Sequence, residues 1–151
     1  MKTARPYPRQ ARYPADPMAL FKTMAKHEPF TKPELLRLEL PIRLSFEALK
    51  TGKGQEHDFH DLAAAINTAL VRAEQIDELC AHTAIAARDA LMRCWHRFER
   101  TGVWGFDGPA LYEVEAGIDL HEQLLRLSTP QQMVRSLKTV IERGRSGEVA
   151  A

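Results

Sequence analysis

The sequence predicts an all-α protein, a bundle of five or six helices around a long central helix or helical hairpin. Three observations lead there. Residues 55–101 form 47 consecutive positions without glycine or proline. Along that run, apolar residues return every three or four positions from Phe59 to Phe98, the period of a helix face. Helix-start chemistry recurs as well: Thr31 precedes Glu34 by three, Asp107 precedes Pro109 by two, and Thr129 stands before Pro130 and Gln132.

Taken in order, residues 1–15 hold Pro6, Pro8 and Pro14 among Lys2, Arg5, Tyr7, Arg9, Arg12 and Tyr13, with no acid. Proline fixes φ and removes backbone donors, so this stretch reads as an extended basic arm. Asp16 and Pro17 start a short helix whose apolar positions are Met18, Leu20, Phe21 and Met24, ending near His27 ahead of Pro29. After Thr31, Leu35, Leu38, Ile42, Phe46 and Leu49 recur at helical spacing until Gly52. Leu36, Leu38, Leu40, Ile42, Leu44 and Phe46 also alternate strictly, which is the strand period. Leucine, glutamate and arginine outnumber β-branched residues here, which favours a helix that Pro41 kinks or divides in two.

The central seam runs through Leu62, Ile66, Ala73, Ile76, Cys80, Ala84, Leu91 and Cys94 without a phase reset. Two structures compete for it. A break near Cys80 to Thr83 gives a hairpin; an unbroken helix protrudes from so small a protein and pairs its alanine-rich seam with a second copy, making a homodimer. Gly102, Val103, Trp104, Gly105, Phe106, Asp107 and Gly108 then form an aromatic turn. Leu111, Val114, Ile118, Leu124, Leu125 and Leu127 carry the next helix, and Met133, Val134, Leu137, Val140 and Ile141 the last, which stops at Gly144 beside Arg143 and Arg145. The expected organisation is an arm over 1–15, a helical domain over 16–145 and a flexible tail over 146–151.

Of the 151 residues, 44% are apolar and 27% charged, which suits one core and argues against wholesale disorder. Two cysteines cannot frame a disulfide scaffold. No run approaches the roughly 20 apolar residues of a bilayer crossing, and no apolar segment follows the first positive charges. The expectation is a cytoplasmic protein without membrane contact. Charge is segregated: residues 1–53 carry 11 basic and 5 acidic side chains, residues 55–127 carry 6 and 13. Such a split makes an electrostatic match within the molecule or offers a basic arm to a polyanion.

No motif carries catalysis. His57 and His60 stand beside Glu56, Asp58 and Asp61, but no pair of Glu-x-x-His motifs exists, and acids at a helix start follow from the dipole alone. Cys80 and Cys94 belong to the apolar seam, where a thiol behaves as a small hydrophobe. Gly52-Lys53-Gly54 follows no strand and lacks P-loop spacing. No cofactor and no metal are expected. The reading is therefore a non-catalytic protein that acts by protein–protein binding, with Trp104, Phe106 and Tyr112 as the contact residues, since aromatics in a glycine-rich connection either plug a bundle or anchor a partner. The alternative is a nucleic-acid-binding regulator that uses Arg5, Arg9, Arg12, Lys22 and Lys26 on phosphates.

The run from Arg100-Thr101-Gly102-Val103-Trp104-Gly105 to Ile118-Asp119-Leu120-His121-Glu122 resembles small uncharacterised helical proteins from phage and plasmid accessory regions of proteobacteria. The likeness extends over residues 31–143. It implies a cytoplasmic accessory protein, brings no catalytic residue with it, and leaves the basic arm outside.

Overall fold

A computed structural model describes residues 28–147. The expected arm, the expected helix over 16–27, the end of the tail, and with them Arg5, Arg9, Arg12, Lys22 and Lys26, lie outside the described residues. The described residues form an all-α bundle of five helices without a strand: α1 (Lys32–Lys50), α2 (Glu56–Glu74), α3 (Glu78–Thr101), α4 (Gly108–Leu127) and α5 (Pro130–Arg145).

Local chemistry sets the helix starts. The Thr31 hydroxyl accepts from Glu34 N at 3.4 Å, while Glu34 Oε2 accepts from Thr31 N at 3.0 Å, a reciprocal cap. Thr129 and Gln132 repeat it at the head of α5. Asp107 Oδ1 accepts from Ala110 N at 2.7 Å and begins α4, with Pro109 in the first turn. The helix α1 passes through Pro41 unbroken, so neither a strand nor a second short helix forms there.

The seam is a hairpin, not one protruding helix, and its turn, Gln75 to Asp77, falls ahead of the expected break at Cys80 to Thr83. Asp77 makes it. Its carboxylate accepts from Leu79 N at 3.0 Å and restarts the helix after Gln75 and Ile76. Ile76, read as a seam residue, is 47% exposed. The seam on either side of the turn is buried inside the one chain, at Ala73, Ala84 and Ala87 among others. The alanine seam is therefore not a surface for a second copy. Gly102, at φ 72°, occupies the left-handed region at the end of α3, where other residues are strained.

The helix α2 touches all four others, α3 lies along α4, and α1 and α5 are the outer helices. The core has two parts. Phe46, Phe59, Leu62, Leu91, Trp104 and Ile118 belong to the larger; Ala69, Ala73, Ala81, Ala84 and Leu124 belong to the smaller. Near their junction, α4 approaches α3 at Gly117, where an added Cβ would stand 2.4 Å from the Ala87 Cβ. No side chain fits, so glycine is required by contact rather than by backbone angle.

Gly117→Ala is expected to destabilise the protein by about 1–3 kcal/mol through forced separation of the helices. Gly144→Ala, where an added Cβ meets nothing within 4 Å, is expected to stabilise it by about 0.5–1 kcal/mol. Urea unfolding of both variants measures the contrast.

Candidate docking groove

The three expected contact residues do not form one surface. Trp104 is 6% exposed. Its ring stacks on Phe98 at a centroid distance of 3.9 Å and an angle of 4°, and lies 5.1 Å from Phe59. Phe106 stacks on Phe46 at 5.7 Å, and Arg97 Nη1 donates to the Phe106 carbonyl at 3.2 Å, fastening the connection. Aromatic pairs of this kind contribute about 0.5–1.5 kcal/mol beyond their buried area. The turn is thus a plug for the wide end of the bundle. Of the three, only Tyr112 is exposed, on the outer side of α4.

The residues weighed for chemistry are likewise separate. His60 Nε2 meets Glu56 at 3.3 Å on the exposed start of α2, a helical i, i+4 pair. Among the described residues, no three His, Cys, Asp or Glu side chains converge as metal ligands would. Cys94 is buried, and desolvation pushes its thiol up from the ordinary value against the weaker opposing effects of the Gly105 backbone and Arg97. A protonated, buried thiol is a poor nucleophile.

The charge split is in part resolved within the molecule. Arg43 on α1 forks onto Glu122 of α4, with Nε to Oε1 at 2.7 Å and Nη2 to Oε2 at 2.9 Å, and also reaches Asp119. These carboxylates hold the guanidinium charged far above the neutral range. One turn along each helix, Arg126 of α4 meets Glu39 of α1 at 2.6 Å. On the other side of the bundle, Arg143 of α5 pairs with Glu74 of α2 at 2.9 Å.

Between the outer helices lies an open cavity of about 230 Å³. Phe30, Leu38 and Ile42 line it from the α1 side and Met133 and Leu137 from α5. Its floor is low because α2 contributes Ala64 and Ala65 there, and α4 adds Leu125. The polar groups are few and mostly engaged. Thr68 donates to the Ala64 carbonyl at 2.7 Å, and Asp61 accepts from Ser45 at 3.2 Å. His121 differs: it is buried, and its Nδ1 has no hydrogen-bond partner. Desolvation drives its pKa down to about 4, against the opposing pull of neighbouring Glu122, so the ring is neutral at pH 7.

The groove was legible only in part. Leu38, Ile42, Leu125, Met133 and Leu137 all carry the helical period of buried residues, and nothing local marks them as bordering a gap. His121 sits three after Ile118 and three before Leu124, so periodicity alone places it inward.

No protein-family model, curated protein or solved structure matches this chain. No helix among the described residues is long and apolar enough to cross a membrane.

A histidine whose folded pKa is depressed contributes stability above its unfolded value, and that stability is lost as pH falls. For His121 the window runs from 6.5 down to about 4. The loss is on the order of 3 kcal/mol at most. The groups closest in play are Glu122 on the same helix and Asp61, which lines the cavity from α2. Unfolding free energy measured from pH 7 to pH 5 is expected to fall in the parent and to fall less steeply in His121→Leu. Equal slopes refute the assignment.

Proposed function

We propose that the protein works without catalysis, by binding another protein, and that the groove between α1 and α5 receives an amphipathic helix of that partner. One observation carries this reading: two outer helices stand apart over an alanine floor, leaving an apolar channel with its walls already in place. Helix-in-groove recognition needs this form, a trough that takes large apolar side chains at i, i+3 or i+4, and i+7. The preformed walls reduce the ordering cost of binding. A neutral histidine with an unpaired nitrogen adds one directional contact for a polar group carried into the channel. The reading moves the contact surface away from Trp104, whose ring is taken up by packing, and keeps the accessory role that the sequence likeness implies. The protonated Cys94 thiol and the pairing of His60 with Glu56 support a non-catalytic role.

Ala64 is exposed on the floor of the channel, so Ala64→Trp fills it while leaving the core untouched. Its unfolding free energy is expected to stay within about 0.5 kcal/mol of the parent. In parallel captures from the source cell, the partner retained by the parent chain is expected to be lost from Ala64→Trp and kept by Leu79→Ala, an exposed position remote from the groove. Retention of the same partners by the filled variant refutes the groove as the binding site.

A further inference from the structure

The helix α1 is apolar on two faces. One faces the core and the groove, through Leu38, Ile42, Phe46 and Leu49. The other carries Leu36, Leu40 and Leu44, which are 60%, 49% and 61% exposed. At 100° per residue this second stripe lies opposite the first, and its members are four apart, so they form one continuous ridge over two turns. Neither the core nor the groove uses it. Isolated exposed leucines are ordinary, but three in a line make a contiguous apolar patch of the kind that marks a contact.

We propose that this ridge is covered by a second copy of the chain, with α1 packed antiparallel on α1 about a two-fold axis through Leu40. The spacing is self-complementary, as an isologous interface requires: Leu40 meets its own counterpart, and Leu36 meets the partner's Leu44. The bordering charges obey the same symmetry. Lys32 and Glu47 are exposed and lie on the same side of the ridge, near its two ends. The antiparallel arrangement brings Lys32 of each copy beside the partner's Glu47, giving two ion pairs related by the axis. Arg37 borders the opposite side and stands about 9 Å along the axis from the partner's Arg37, beyond close repulsion. Arg43 is already committed to Glu122 and Asp119 within its own chain. A ridge of three leucines falls at the small end of specific interfaces, below about 1,200 Å² in total, so the dimer forms reversibly and at micromolar concentration. The groove opens on the other face of α1 and remains accessible in the pair.

Sedimentation equilibrium of the full chain, from low to high micromolar, tests this directly. The average mass is expected to rise from one chain toward two. Leu40→Glu places a charge against its own copy on the axis and is expected to hold the mass at one chain, with the helical circular dichroism and melting temperature of the parent. Glu47→Lys is expected to weaken association about tenfold by opposing Lys32 of the partner subunit. Lys32→Glu combined with Glu47→Lys is expected to restore it. Both changes suit the helix dipole, so folding is preserved. A one-chain mass at every concentration overturns the proposal and leaves the ridge to residues 1–27 or to a different protein. Dimerisation that persists in Leu40→Glu also overturns it, and failure of the double variant to recover overturns the antiparallel register.

Discussion

The close crossing of α3 and α4 at Gly117 governs the rest of the molecule. With no side chain at 117 and a methyl group at Ala87, the two helices approach until nothing larger fits between them. Ile66 of α2 rests against the same spot and draws the third helix in. From a tight crossing, helices must diverge, and protein interiors are filled to crystal-like density. The hairpin end is closed by alanines at 69, 73, 81 and 84. The opposite end is wide and is filled by Phe46, Phe59 and Leu91, with Trp95 and Phe98 packed alongside. The connection between α3 and α4 supplies the last large piece, Trp104. That ring is buried against Phe98 and Phe59 at this end.

A central layer of three tightly packed helices leaves α1 and α5 outside. Both are fastened by charge as well as by packing, α1 through Arg43 and Glu39 onto α4, and α5 through Arg143 onto α2. Single exposed ion pairs contribute at most about 1 kcal/mol. The two-pronged contact of Arg43 with Glu122 is half-buried and geometrically demanding, so it fixes position more than it adds stability. Arg72 acts similarly at the α4–α5 connection, donating to the buried Ser128 hydroxyl at 2.8 Å. Held from different sides, the outer helices do not close over Ala64 and Ala65. The groove is the space left between them.

Helix starts were legible because caps are local: the chemistry at Thr31, Asp107 and Thr129 involves residues within three positions of one another. The hairpin turn was not, because neither glycine nor proline marks it. Asp77 followed by Glu78 was the available signal, an N-cap and a first-turn acid hidden in a sequence whose apolar phase runs on by coincidence through the exposed Ile76. Trp104 was identified as important, yet composition cannot say whether a large aromatic fills a gap or awaits a partner. That choice depends on partners brought in from elsewhere in the chain, Phe59 of α2 above all, 45 positions away. The groove was the least legible, since a gap between outer helices has no residue of its own.

The alternation between Leu36 and Phe46 carries a further lesson about α1. Six apolar residues at every second position cannot share one face of a helix. They separate into Leu36, Leu40 and Leu44 on one side and Leu38, Ile42 and Phe46 on the other, two series of period four offset by two. A strand would have placed all six together and left Glu39 and Arg43 on its opposite face. The helix instead spreads its apolar residues and sends Glu39 and Arg43 between the two series toward Arg126, Glu122 and Asp119 of α4. The pairing with α4 therefore fixes the rotation of α1 about its axis, and that rotation is what turns one leucine series into the groove and the other into water. Packing among the described residues accounts for the inward series only. The outward one leaves three large side chains in water among the described residues, and it is this series that the proposed pairing of α1 with its copy would cover.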